Sequence, residues 1–183
     1  ERTARIRLGT GVVSLPYHHP YNIAGRIVQL DHLTPGRAML GVGPGALPSD
    51  ARAHGMPPTL LRDRMDEGLG VILRLLREDA PVTHKSDWFT LHEATLQIRP
   101  VQAELPVAVA SSISPAGMSC AGKYGVGVLS VASYSEEGLQ ALPTQWGFAE
   151  TYARENGQRV DRANWRVVMP WHIAESKEQA LRE

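Results

Sequence analysis

The sequence predicts an α/β fold built on a parallel sheet. Two observations carry this reading: strand-like and helical segments alternate along the chain, and the strands are near-continuous apolar runs, without in–out alternation. Parallel strands linked by crossover helices are covered on both faces, which is what such runs require. Five strand–helix units in 183 residues fit two architectures. A (β/α)8 barrel needs eight strands and about 250 residues, so here it would lack strands at both ends. An open doubly wound sheet accommodates five strands as they stand. The pattern alone does not choose between them.

The first strand is expected over residues 6–15, ending at Pro16. A helix over 21–33 follows, with Ile23, Ile27, Leu30 and Leu33 at helical spacing. Pro35-Gly36 marks a turn, and 38–43 is the second strand. Residues 44–58 are rich in glycine and proline and read as a flexible loop. The stripe Leu61, Met65, Leu69, Ile72, Leu73 and Leu76 predicts a long helix over 60–77. Residues 82–99 break the alternation, with short β-like pieces at 88–91 and 95–98, so a small β insertion is expected at about 81–100. The alternation then resumes: strands over 105–110, 125–131 and 165–173, helices over 115–123 and 136–156, and a last helix beginning at 175. The chain opens at Glu1 with no initiator methionine or leader and stops inside that helix, so both ends read as cuts.

Nineteen basic and nineteen acidic residues give zero net charge, which offers nothing to nucleic acid or an anionic membrane. No apolar run reaches the roughly 18 residues of a spanning helix. The lone cysteine, Cys120, cannot form an internal disulfide and reads as a small buried apolar residue. A cytoplasmic setting fits. The histidines show no metal-ligand spacing, so no metal site is expected. No nucleophile elbow or other acid–base motif is present, and no catalytic residue is assigned.

Both architectures place ligands at the carboxyl ends of the strands. Four segments meet there. Gly9 and Gly11 interrupt the first strand, which suits either close backbone approach to a flat ligand or local curvature. Gly41-Val42-Gly43-Pro44-Gly45 has G-x-G-x-G spacing, not the dinucleotide fingerprint, and Pro44 removes an amide that a phosphate would use. The loop that follows suits an apolar substrate or a lid. In Ala110-Ser111-Ser112-Ile113-Ser114-Pro115, Ser114 is a good N-cap and Pro115 a good first helical residue. The helix would then aim its free amides at the strand ends, and Ser111 and Ser112 would add hydroxyls, making a phosphate cradle or an ordinary capped helix. Arg62, at the start of the long helix, can pair with a phosphate bidentately or lie solvated on the helix surface. An apolar mouth and a phosphate cradle without acid–base groups favour a cofactor that brings its own chemistry.

Several runs, taken in order, resemble the bacterial luciferase-like flavin monooxygenases. They are residues 5–13, His18-His19-Pro20, residues 30–37, the strand ending Gly41-Val42-Gly43, the 62–69 helix, residues 89–99 before Pro100, and Val109-Ala110-Ser111-Ser112. The match covers nearly the whole chain and is closest to the limonene or terpene monooxygenase branch. The resemblance implies a (β/α)8 TIM barrel represented by strands three to seven, so that 1–183 is a partial domain. In that family the second strand ends in an acidic-His segment that contributes a catalytic histidine, and no residue here takes that role. The resemblance maps the ring-facing strand onto Thr10, Gly11 and Val12, with a cis peptide near Gly11–Val12. It maps the phosphate side onto Arg62, Ala110, Ser111 and Ser112. Some family members carry arginine where Pro44 stands, which leaves the phosphate to Arg62 and the helix amides. The activity implied uses reduced FMN, supplied by a flavin reductase, and O2 to oxygenate a small apolar organic substrate such as limonene. The alternatives are a deazaflavin-dependent hydride-transfer oxidoreductase on the same barrel, and a non-catalytic flavin-binding fragment. Relatives are often homodimers. Lacking three strands, the piece itself would be inactive.

Overall fold

The computed structural model describes residues 3–131, 135–169 and 171–183. In chain order the first elements are β1 (Leu8–Gly9), β2 (Val13–Ser14), α1 (Pro20–Leu33), β3 (Ala38–Gly43), α2 (Pro48–Ala53) and α3 (Leu61–Arg77). Then come β4 (Val82–Lys85), β5 (Thr90–Ala94), β6 (Val107–Ser111), α4 (Ala116–Tyr124), β7 (Gly127–Ser130), α5 (Glu136–Glu155), β8 (Trp165–Val167) and α6 (Lys177–Ala180). The main sheet is parallel, in the order β1–β3–β6–β7–β8, with β2 sharing the edge position beside β3.

Register sorts the sheet residues onto two faces. Val13, Val42, Val109 and Val128 pair in one row, and Leu40 pairs with Val107. They join one core with Ile23, Ile27 and Val28 of α1, Leu69 and Ile72 of α3, Met118 of α4 and Trp146 of α5. The intervening residues Gly41, Gly43, Ala108, Ala110 and Gly127 therefore point the other way. A doubly wound sheet divides its helices between both faces. Here α1, α3, α4 and α5 pack on one face, and the five strand positions curl into a parallel half-barrel. That decides between the two architectures the alternation left open.

The first strand is not continuous. Gly9 pairs with Met39 and Val13 with Val42, so Thr10, Gly11 and Val12 stand opposite only Leu40 and Gly41. One extra residue is a bulge, and it contains the cis Gly11–Val12 peptide. Thr10 fills the gap in the ladder, its hydroxyl donating to the Gly41 carbonyl (2.8 Å) and accepting from the Gly41 amide (2.9 Å).

Other expectations shift. The 44–58 segment is not a uniformly flexible loop, because Pro48 opens α2 and Ala51 of that helix is buried. The insertion is a hairpin of β4 with β5, and 95–98 forms no strand: the turn at 86–89, where the Ser86 amide donates to the Phe89 carbonyl, sets β5 one residue after it. The strand expected at 165–173 stops at Val167, with Pro170 outside the described residues, and the helix expected from 175 is the short α6.

Two buried polar ties fix the loops that frame the sheet. Asp31, at 0% exposure in α1, accepts from the amides of Ala38 (3.3 Å), Val101 (2.8 Å) and Gln102 (3.1 Å) and from the Gln102 side chain (2.7 Å). It thereby locks α1 to the start of β3 and to the return from the hairpin. Glu67 of α3 accepts from His84 Nε2 (2.8 Å) and Trp88 Nε1 (2.5 Å), holding the hairpin on α3.

Burial acts to raise the Glu67 carboxyl, but its hydrogen bonds from His84 and Trp88 win and hold it below the usual 4.5. A depressed carboxyl stabilises above its unfolded value and loses that contribution as pH falls through the folded one. Amide exchange protection of 82–94 is therefore expected to drop as pH falls below the usual 4.5 and through the lowered folded value. Glu67→Gln should start lower and show a shallower drop. Equal pH profiles for the two proteins would disprove the tie.

Candidate functional site

The carboxyl end of β3 feeds the loop to α2, and the carboxyl end of β6 feeds the turn into α4. Between these loops, and running into the groove between α3 and α4, lies a cavity of about 570 Å3. Pro44, Gly45 and Ala46 form one lip, and Ser112 and Ser114 the other. Leu61, Arg62 and Met65 of α3 face Ala116, Gly117 and Ser119 of α4 across it, with Ala110 among the lining residues. The volume falls within the roughly 300–1,000 Å3 of small-molecule sites.

α4 begins later than expected. Pro115 occupies the cap position with φ −70° and ψ −9°, no side chain caps the helix, and Ser114 instead lines the cavity. The αR backbone of Pro115 leaves Ser114 a residue too early to cap the helix. The first intrahelical acceptor is the Pro115 carbonyl, bound by the Ser119 amide (2.9 Å). The amides of Ala116, Gly117 and Met118 thus precede the hydrogen-bonded ladder. Gly117 brings this end against the strand: a Cβ there would lie 2.4 Å from the Ala110 carbonyl oxygen.

Of the residues read from the sequence, Arg62, Ala110 and Ser112 line this cavity. Arg62 is exposed and makes no ion pair or hydrogen bond among the described residues. Ser111 does not line the cavity. It is 1% exposed beneath α4, with no partner found for its hydroxyl among the described residues. Val12 and Ala110 flank Gly43, whose added Cβ would sit 2.9 Å from Val12 Cγ2 and 3.4 Å from Ala110 Cβ. Thr10 is committed to Gly41, and Gly11 is exposed with open space around it. The bulge and the cavity therefore meet through Val12, Gly43 and Ala110.

Sequence reading missed several lining groups. Asp66 and Lys123 pair at 2.5 Å, and Tyr124 donates to the Asp66 carbonyl (2.9 Å). Burial acts to lower Lys123, but its hydrogen bond with Asp66 and the charge of Tyr124 and Asp66 raise it above the usual value. Burial, with Asp66 nearby, pushes the Cys120 thiol up to about 12, which makes it unreactive. At the lip, Gln145 of α5, 3% exposed, donates its amide to the carbonyls of Ser112 (2.6 Å) and Ile113 (3.0 Å). Its signal is a polar residue on the apolar stripe shared with Ala149 and Ala153. On the opposite lip, Tyr17 stacks on His54 (4.4 Å, 9°), pinning the end of α2. His19 caps α1 through its ring and, like His18, does not line the cavity.

The lining chemistry suits an anionic, partly apolar ligand. One unpaired guanidinium, the hydroxyls of Ser112, Ser114 and Ser119 and the leading amides of α4 are donors. Pro44, Ala46, Leu61 and Met65 are apolar. Of the two carboxylates present, Asp66 is neutralised by Lys123 and Asp63 is exposed.

The chain matches the family described as luciferase-like monooxygenase over residues 1–183. It belongs to that family. It is 54% identical to 4-hydroxyprotoasukamycin monooxygenase of Streptomyces nodosus subsp. asukaensis, over 99% of this chain and 50% of the relative. It is 49% identical to limonene 1,2-monooxygenase of Rhodococcus erythropolis, over 98% of this chain and 46% of the relative. An F420-dependent glucose-6-phosphate dehydrogenase of Kineococcus radiotolerans is 36% identical, over 88% of this chain and 48% of the relative. Among solved structures, the monooxygenase RslO1 of Streptomyces bottropensis superposes with TM-score 0.86 at 26% identity, over 99% of this chain and 54% of that one. The oxygenating constituent of 3,6-diketocamphane monooxygenase of Pseudomonas putida, solved with FMN, superposes with TM-score 0.80 at 25% identity, over 98% and 53%. The chain thus spans about half the length of the relatives it matches. Among the described residues, no helix is long and apolar enough to cross a membrane, and no group of three or more His, Cys, Asp or Glu is placed to hold a metal ion.

Proposed function

We propose that this chain is the phosphate-binding and ring-supporting part of a flavin-dependent monooxygenase that oxygenates a small apolar organic substrate. The observation that carries the reading is the cavity at the strand ends, where Arg62, Ser112 and the leading end of α4 converge with Ala110. Under this reading Arg62, Ser112 and the amides of Ala116 and Gly117 hold the phosphate of FMN. Ala110, Gly43 and Val12 support the ring side, with Thr10 and Gly11 forming the bulge next to them, and Ser111 underpins the turn from below. The bound cofactor supplies the redox chemistry with O2. The chain's own residues bind, orient and exclude water: Pro44, Ala46, Leu61 and Met65 offer an apolar wall, and the Tyr17–His54 stack holds the covering segment. A terpene such as limonene is a substrate of the right class. A flavin reductase would supply reduced cofactor to a cytoplasmic enzyme, and a homodimer is its proposed form. Residues 1–183 would then be a partial barrel domain interrupted by the β4–β5 hairpin.

Changing Arg62 and Ser112 together to alanine in the intact protein is expected to weaken FMN binding about thirtyfold or more, from the loss of one charged and one neutral donor. Riboflavin, which lacks the phosphate, should bind as before. Equal loss for both ligands, or no loss, refutes the cradle. The F420-dependent relative favours one second reading, hydride transfer with a deazaflavin. Oxygen consumption with reduced FMN supports the first reading. Turnover without oxygen uptake on reduced deazaflavin supports the second, and flavin binding without either activity would leave a binding protein.

A further inference from the structure

We propose that Gln145 is a positioning residue that shapes the phosphate lip, a role that rests on the reading of that lip given above. Gln145 sits on α5, more than thirty positions from the turn it holds. Its amide nitrogen donates to two successive carbonyls, Ser112 (2.6 Å) and Ile113 (3.0 Å), while its own carbonyl oxygen is buried and has no partner among the described residues. A side chain kept in place at the expense of an unsatisfied acceptor is held for its donor end.

The consequence is electrostatic. The turn after β6 carries amides and carbonyls alternately, and an anion is drawn to the first and repelled by the second. Gln145 fastens two carbonyls against α5, toward the protein body, and partly neutralises both. The Ser112 hydroxyl accepts from the Ile113 amide (2.6 Å), which tightens the same turn. With its oxygens tied back, the lip shows an anion the Ser112 and Ser114 side chains and the start of α4. Gln145 touches no ligand and acts through the backbone it grips.

The test compares FMN with riboflavin in the intact protein, by flavin fluorescence titration, for wild type, Gln145→Met and Gln145→Glu. Methionine matches the length and removes the donor together with the orphaned acceptor, so it costs little fold stability. Glutamate keeps the shape, loses the donor and adds a repelling charge. The expected result is FMN affinity about tenfold weaker in Gln145→Met and weaker still in Gln145→Glu, with riboflavin affinity changed less than about twofold. Unaltered FMN-to-riboflavin discrimination in a variant that melts like wild type overturns the proposal. So does failure of both variants to fold, which would make Gln145 a structural core residue. If the wild type itself does not prefer FMN to riboflavin, the phosphate reading of the lip has failed first, and this inference fails with it.

Discussion

Gly117→Ala is expected to destabilise the intact protein by about 3 kcal/mol, the upper end of overpacking costs. In an ordinary helix the same change gains close to 1 kcal/mol, because alanine is the better helix former. The sign here is set by space. The new methyl would stand 2.4 Å from the Ala110 carbonyl oxygen, 2.7 Å from Ser111 Cα and 2.8 Å from Ser111 Cβ. Two of those three atoms are backbone, so no rotamer change relieves the contact, and α4 has to withdraw from the end of β6. That withdrawal also moves the leading amides and Ser114, so on the proposed reading of the cavity flavin binding should weaken along with stability. Urea midpoints and a flavin titration on the same variant check both effects. A variant as stable as wild type would mean that the helix does not rest on the strand as described.

Asp31→Ala should be more damaging, by about 4 kcal/mol. The substitution takes an acceptor from four donor groups: the amides of Ala38, Val101 and Gln102, and the Gln102 side chain, which keeps only the Ala38 carbonyl (2.9 Å). A buried donor stranded this way costs about 1–3 kcal/mol. The total stays below four full penalties because Val101 is 51% exposed and its amide can turn to water. Ala38 is 0% exposed and its amide has no such escape. Asp31→Asn keeps one acceptor but presents an amino group where a donor already points, so it should recover only part of the loss. Equal urea midpoints for wild type and Asp31→Ala would contradict the tie.

What the sequence discloses follows the range of each interaction. The valine-rich strands and the Leu61–Leu76 stripe are set by local periodicity, and they appear at their places with small shifts at the ends. The cis peptide lies where the family resemblance puts it. Neighbours along the chain mislead where geometry depends on a single residue's angles. Ser114 and Pro115 have the composition of a cap and first turn, yet the helix starts one residue later and the serine goes to the cavity. Ser111 and Ser112 are adjacent and alike in type, but strand alternation sends one beneath α4 and the other to the lip. The groups hardest to foresee, Gln145 on the Ser112 turn and Lys123 on Asp66, join segments more than thirty residues apart, and no local pattern encodes those pairings.

Along β3, β6 and the start of β7 the inward side of the sheet is built from the smallest residues. Gly41, Gly43, Ala108, Ala110 and Gly127 put hydrogens and methyls where most barrels place large aliphatic side chains. These five positions offer no side-chain donor or acceptor of their own, and larger groups stand only farther along the row, where Ala110 pairs with Leu129 and Leu129 with Arg166. The room left by the glycines is taken up by the chain itself: a Cβ at Gly41 would stand 2.1 Å from the Thr10 carbonyl oxygen, and one at Gly43 2.9 Å from Val12 Cγ2. Any side chain at Gly41, Gly43 or Gly127 would therefore have to push aside the bulged edge strand or the entry to β8, whose Asn164 carbonyl oxygen lies 2.7 Å from a Cβ at Gly127.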